Sequence, residues 1–432
     1  MIRTDVLVVG GGLAGSVAAL SAARTGASVT LVSKAESTLR QASGLVDVLG
    51  RVDGDLVADP FAALADLPDS HPYRVVGTDA LRAGLDLFDD VTGDAYRGGD
   101  RNALVPTTHG TVKPTYRYPA SVAPGVAGDG RETLLVGFAS DADFDARLAA
   151  DRLAGTVPGD VRGVTVRFPR LRDDAKRTRY ANLLESNAAV REQLAEKIAP
   201  QVADAERVGF PAVLGEDPDR VRADLEAAFA DAGHDVAVFE VPTGPPSIAG
   251  GRLRNHLRSA LEAAGVELVT GVPVVDFEAD DGRVESVVVD RNGARVPYGP
   301  EQVVLATGGL VGEGIDSDRE GVYEPVFDLH VPQPGDRYDW FEDDPFGDHA
   351  FARFGVRIGA DARPLDADGA VAYENLGAAG AVVGGADVAL QKAASGVSLA
   401  TGWQAGTRAG TEATGGTADP TDGAEPEARE DS

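Results

Sequence analysis

Apolar and polar positions change rhythm several times along this chain. An apolar run over residues 5–9 ends in Gly10-Gly11-Gly12-Leu13-Ala14-Gly15; a helical pattern and a second apolar run at 29–32 follow. Helical periodicity covers 59–67 and 79–88, with a loop expected at His71-Pro72-Tyr73 between them. Residues 105–119 are aromatic, polar and proline-interrupted, which excludes a regular helix. From Thr133 strand-like runs (133–138, 161–168, 208–214, 236–241) alternate with helical ones (144–153, 188–198, 219–230). A helix is expected over 253–264. Strands are expected at 266–269, 274–278 and 284–290, and another over 302–305 runs into Ala306-Thr307-Gly308-Gly309. No internal repeat of fixed period is present.

This order predicts an α/β chain in two parts. Residues 1–130 and 244–412 form one discontinuous nucleotide-binding domain, 131–243 an inserted α/β domain, and 413–432 a disordered acidic tail. In the first turn, Gly10 permits a sharp bend and Gly12 close approach to a pyrophosphate. Gly15 allows the helix to pack on the strand. The phosphates would meet the free N–H groups and the dipole of the helix N-terminus. Two other readings of this stretch are an apolar leader and a nucleotide fold with an empty site. The clustered glycines and the flanking Asp5 disfavour the leader. The acidic residue that binds a ribose in NAD enzymes is absent after the second strand, where Ser33-Lys34 stand instead.

Composition narrows the chemistry. The 432 residues include no cysteine, so disulfides, thiolate metal sites, cysteine-ligated iron–sulfur clusters and thiol catalysis are excluded, and no metal site is expected. A net charge of −29 disfavours nucleic acid and anionic membranes as direct partners. Lys34, Lys113, Lys176, Lys197 and Lys392 are the only lysines among 40 basic residues. High acid and little lysine point to a cytoplasmic protein of a salt-rich cell.

Several separated stretches resemble counterparts in known flavoproteins. Ser33-Lys34 is similar to the fumarate reductase and aspartate oxidase flavoproteins, and, after the 306–309 turn, the segment ENLGAAGAVVGGADVALQKAASGVSLATGWQAG (374–406) resembles the part of two-domain flavoproteins that brings a glycine turn and a helix N-terminus to the isoalloxazine ring. ASGLVDVL, HPYRVVG, PPSIAGGRLRNHL and GVYEPVFDLHV resemble the B-subunit family of anaerobic glycerol-3-phosphate dehydrogenase, over most of the chain. The resemblance implies a Rossmann-like, three-layer FAD/NAD(P)-binding flavoprotein domain with an inserted α/β domain. It further implies oxidation of sn-glycerol 3-phosphate to dihydroxyacetone phosphate, with electrons reaching a membrane quinone. The implied partners are the family's FAD-carrying A subunit and its iron–sulfur C subunit, which attaches the complex to the inner face of the membrane. The implied cofactor is FMN, whereas the glycine turn itself is built for a pyrophosphate and so for FAD. Alternatives are a non-catalytic electron-relay or assembly subunit, and another flavin oxidoreductase of the fumarate reductase or aspartate oxidase type.

The expected flavin contacts are Gly10, Gly12, Gly15, Ser33, Lys34, Ser43, Gly44, Thr307, Gly308, Gly380, Lys392, Gly396, Val397 and Ser398. Oxidising a secondary alcohol also needs a proton acceptor and a phosphate clamp. His109 beside Lys113 is the candidate for the first, since a histidine among hydroxyls and a cation can have a tuned pKa. Arg252 and Arg254, at the start of a helix, are candidates for the second, although two residues apart they do not share a helical face. His71, followed by proline, reads as turn-making.

Overall fold

The computed structural model describes residues 1–171, 175–345 and 347–416. Two sheets organise the chain. In the larger, seven-stranded sheet the path runs Glu267–Thr270, Val29–Ser33, Ile2–Val9, Ala294–Leu305, Arg283–Arg291, Val274–Asp280, and Leu376–Ala378 also pairs with Ala294–Leu305. The pairings are parallel around Ile2–Val9 and become antiparallel from Ala294–Leu305 outward. The second half of the first strand, Val6–Val9, is apolar and buried because both its faces are covered, the usual condition of a parallel strand. A buried asparagine fastens the far side: Asn375 exchanges hydrogen bonds with the Val284 backbone (2.8 and 2.9 Å) and donates to the Glu301 carbonyl (3.1 Å). Tied in this way, an otherwise costly buried amide fixes the register of the meander.

The second sheet has four parallel strands in the order Ala237–Val241, Arg207–Pro211, Thr133–Phe138, Val161–Val166. The strand period of two is explicit in Thr133–Phe138. Leu134, Val136 and Phe138 join a core with Tyr180, Leu194 and Phe229, while Leu135 joins Phe144, Ala149 and Leu153 on the other face.

Several elements differ from the expectation. Residues 105–119 belong to an antiparallel hairpin, Tyr96–Pro106 with Val112–Pro119; the polar run Arg97–Asn102 hides the first strand because it bulges at the exposed edge. His71-Pro72-Tyr73 opens a short helix, Pro72–Val76, capped by His71, whose Nδ1 accepts the Tyr73 N–H (3.2 Å). The helix expected from Leu253 starts earlier and spans Ile248–Ala263, because Ser247 Oγ caps it through Gly250 N (3.1 Å). The helix Arg177–Ser186 is additional to those the pattern predicts. The expected tail overlaps the last helix, Ala394–Ala413, at its first residue; residues 417–432 lie outside the described residues. Among the described residues no helix is long and apolar enough to cross a membrane.

Candidate functional site

Four parallel strands end in one row. Val32, Val9, Leu305 and Ala378 are ladder partners across adjacent strands, and the ladder continues one step into the loops through Gly10 N to Val32 O (2.8 Å), Ala306 N to Val9 O (2.7 Å) and Ala379 N to Leu305 O (2.9 Å). The carboxyl edge of such a sheet, where the chain departs to either side, is the usual ligand crevice of α/β folds. Just beyond it stand Gly10, Gly308 and Gly380. Gly10 has φ +122°, and a Cβ there would lie 2.1 Å from the Ala306 carbonyl oxygen. A Cβ at Gly15 would lie 1.9 Å from the Gly10 carbonyl, so the first helix, Leu13–Arg24, rests directly on the turn. Gly12 caps that helix without a side chain, and its first turn carries no acidic residue, which leaves its N–H groups available to an anion.

The cradle has unpaired polar atoms. Ser33 Oγ and Thr307 Oγ1 are buried without a hydrogen-bond partner, on either side of the Gly10 turn. Buried hydroxyls are normally satisfied, so these two fit a site completed by a polar ligand. Lys34 does not point into the cradle; it is exposed and ion-paired with Glu313 across its rim.

The last helix lies alongside the first. Hypothetical Cβ atoms at Gly402, Gly406 and Gly410 would fall 2.7, 2.2 and 2.7 Å from the carbonyl oxygens of Ala14, Ala18 and Ala22, so glycine lets the two backbones meet in parallel. Because Gly402 sits at the level of Ala14, the helix ahead of it from Ala394 projects about 10 Å past the start of the first helix at Leu13, at about 1.5 Å per residue. Two helix N-termini are thus staggered along one crevice. Gly380 joins them: its N–H donates to Thr401 Oγ1 (2.8 Å), and its own Cβ would lie 2.6 Å from Ala14 Cβ and 3.6 Å from Ser398 Oγ. Val397 is buried in the core, so its side chain packs rather than faces the crevice. Ser43 and Gly44 sit against the helix Ile248–Ala263, where the Gly44 carbonyl accepts the Tyr96 hydroxyl (2.7 Å).

Asp47 is the residue missed by sequence reasoning. It is 6 % exposed and pairs with Lys113 Nζ at 2.6 Å, while its other oxygen has no hydrogen-bond partner. Its carbonyl accepts Gly396 N (2.8 Å), and Gly50 N donates to Gln391 O (2.8 Å), which binds residues 47–50 to the start of the last helix. Burial pushes the Asp47 carboxyl up from its ordinary value against the pull of Lys113 and then Lys392 and the nearby Thr115. The Tyr73 hydroxyl donates to the Val48 carbonyl in the same layer, and burial raises it well above the usual phenol range. His71, behind it, faces Gln391 (3.2 Å); burial lowers its pKa to about 4, so it is neutral near pH 7.

The structure therefore gathers Lys113, Lys392, Gly380, Gly396 and Ser398 near the projecting helix and Gly10, Gly12, Gly15, Ser33, Thr307 and Gly308 near the first. Three other expected residues lie apart. His109 is exposed at the hairpin tip, where its carbonyl accepts Arg152 (3.0 Å), and it has no hydrogen bond to Lys113. Arg252 is buried and bidentate to Glu240 (2.7 and 2.9 Å), with Nε on the Gly215 carbonyl (2.6 Å). That geometry occupies the guanidinium and removes the expected phosphate role from Arg252. Arg254 points the other way, to Asn255 (3.0 Å) and Glu36 (3.6 Å), as the helical spacing anticipates.

Parallel sheet, glycine crests and staggered helix N-termini together define a flavoprotein of the FAD binding domain class, and the model of that family matches residues 5–397. The chain belongs to the B-subunit family of anaerobic glycerol-3-phosphate dehydrogenase. It is 56 % identical to the Halobacterium salinarum member, covering 94 % of this chain and 98 % of that protein. It is 31 % identical to the Yersinia pestis member, covering 92 % and 96 %. Among solved structures it is similar to a 3-ketosteroid-Δ4-(5α)-dehydrogenase from Rhodococcus jostii RHA1, with TM-score 0.42, 13 % identity and coverage of 95 % of this chain and 97 % of that one. A flavin cofactor agrees with the family match, which gives the expectation of FMN no support.

Proposed function

We propose that this chain is the flavin-binding subunit of an anaerobic glycerol-3-phosphate dehydrogenase. It takes part in oxidising sn-glycerol 3-phosphate to dihydroxyacetone phosphate and hands electrons to partner subunits. The observation that carries this reading is the near full-length similarity to the Halobacterium salinarum B subunit. The partners in the proposal are an A subunit carrying FAD and an iron–sulfur C subunit, through which the chain associates with the cell membrane and its quinone. The inserted region, 131–243, is proposed as a separate domain.

FAD is the proposed cofactor. Gly10, Gly12 and Gly15 receive a pyrophosphate at the first helix, with Ser33 and Thr307 supplying hydroxyls beside it. The ring end belongs near Gly380, Lys392, Gly396 and Ser398, where the projecting helix dipole favours the negative charge of a reduced ring. FMN would leave the Ser33 side of the cradle without a ligand. FAD when bound supplies the two-electron acceptor for a secondary alcohol. The chain's own part is to orient that acceptor, to exclude water through the buried layer of residues 47–50, Gly396 and Val397, and to hold a cation at Lys113. Lys113, paired with Asp47, is the group proposed to face the substrate hydroxyl; His109 stands exposed at the hairpin tip, apart from it.

Purifying the chain in high salt, denaturing it and identifying the released chromophore tests the reading. FAD, together with bleaching by glycerol 3-phosphate in the assembled complex, is the expected result; a colourless chain that binds no flavin on reconstitution refutes it. One observation favours a second reading, an electron-relay or assembly subunit: Arg252 and Arg254 diverge to Glu240 and Glu36 and form no phosphate clamp. Assaying this chain and its FAD-carrying partner separately and together with a dye acceptor decides between them, because full activity in the partner alone supports the relay.

A further inference from the structure

Asp47 is bound on two sides to the ring end of the crevice, and Gly50 closes the layer. One carboxylate oxygen holds Lys113 Nζ at 2.6 Å, its backbone carbonyl takes Gly396 N at 2.8 Å, and the Gly50 N to Gln391 O bond (2.8 Å) closes the same layer beside Lys392. Lys113 comes from the hairpin strand Val112–Pro119, so Asp47 is the group through which the hairpin meets the last helix. The second carboxylate oxygen is buried with no hydrogen-bond partner. The neighbouring Thr115 hydroxyl lies 3.2 Å from the Lys113 carbonyl and also helps to hold the Asp47 carboxyl down against burial. An unsatisfied buried acceptor is expensive and is rarely kept by packing alone.

We infer that Asp47 is a positioning residue for the flavin reaction: it fixes the Lys113 ammonium at the N-terminal end of the last helix and offsets the charge of Lys113 and Lys392 felt by the ring bound there. The inference rests on the proposed flavin site. A structural anchor alone needs neither the charge on Asp47 nor its free oxygen. An electrostatic role needs the charge, because a unit charge in a weakly screened site changes the relative stability of oxidised and reduced forms.

The experiment measures the midpoint potential of the flavin in the full chain loaded with FAD, for the parent, Asp47→Asn, Lys113→Met, the double variant and Asp47→Glu. Asp47→Asn leaves two lysines uncompensated. It is expected to favour the reduced form by about tenfold, about 30 mV more positive for a two-electron couple. Lys113→Met is expected to move the potential in the opposite direction. The double variant restores the charge balance and is expected within about threefold of the parent, as is Asp47→Glu. If Asp47→Asn fails to fold, Lys113→Met still tests the sign, since Lys113 is partly exposed. Unmoved potentials in flavin-loaded variants, or shifts of the same sign for the two single variants, overturn the role of Asp47 and leave the flavin reading standing. A parent chain that binds no flavin overturns both.

Discussion

Two buried carboxylates, Glu240 and Asp47, face basic partners in opposite ways. Glu240 is fully buried and completely satisfied: Arg252 holds it with two bonds, Leu214 N donates at 2.8 Å and the Ser121 hydroxyl at 2.7 Å. Burial raises its pKa, but Arg252 and these donors outweigh burial and hold the carboxyl below its ordinary range. Asp47 has one cation on one oxygen and no hydrogen bond on the other, and there burial wins. The first pair ties the second sheet to the helix Ile248–Ala263 and behaves as a structural clamp. The second sits at the start of the last helix with unused hydrogen-bonding capacity. Completeness of the hydrogen-bond shell, rather than burial or charge, separates a joint from a candidate working group.

The largest effect should follow from breaking the clamp. Arg252→Met strands a fully buried carboxylate and is expected to cost about 3–5 kcal/mol in denaturant unfolding at high salt. A cost comparable to that of Asp47→Asn would erase the contrast. Asp47→Asn should cost under about 1.5 kcal/mol, because neutralising this group also removes a desolvation penalty.

The pH dependences should have opposite signs. The Glu240 carboxyl is lowered from 4.5, so its contribution to stability is present above that value and is lost as pH falls through the lower folded one. The Asp47 carboxyl is raised from 3.8, so folding favours its protonated form. Its contribution is present below 3.8 and is lost as pH rises through the folded value. Subtracting the stability–pH curves of Glu240→Gln and Asp47→Asn from that of the parent reads both slopes, and slopes of one sign contradict the comparison. His71 calibrates the method. Its pKa of about 4, against 6.5 when solvated, means stability is lost as pH falls from 6.5 towards 4, by up to about 3 kcal/mol at 1.36 kcal/mol per unit; His71→Gln should remove that slope.

The smallest effect belongs to an exposed pair. Arg258 and Glu262 lie 2.8 Å apart on the helix surface, and Arg258→Ala should change stability by less than about 0.5 kcal/mol.

The elements of the site were legible wherever a local pattern encodes them. The glycine run at 10–15, the apolar strands and the turn at 306–309 each depend on neighbours in sequence. The Asp47–Lys113 and Glu240–Arg252 pairs were not legible, because each joins segments that only the tertiary fold brings together. Asp47 reads locally as one polar residue in ASGLVDVL; only the lysine opposite and the helix start at Gly396 give it a role. Arg252 and Arg254 were visible as cations near a helix start, but which one is free depends on Glu240 in a strand of the other sheet. His109 stood close to Lys113 in sequence, yet the hairpin turns it out to solvent while Lys113 turns in.

The account depends most on what fills the crevice between the two helix starts. Denaturing the purified full chain and resolving the released chromophore by chromatography gives the answer directly. The account predicts FAD, close to one per chain, with binding lost when Gly10 or Gly15 is replaced by valine, since a side chain at either position collides with backbone 2.1 or 1.9 Å away. Release of FMN alone, or a chain that stays colourless after incubation with FAD, would contradict it.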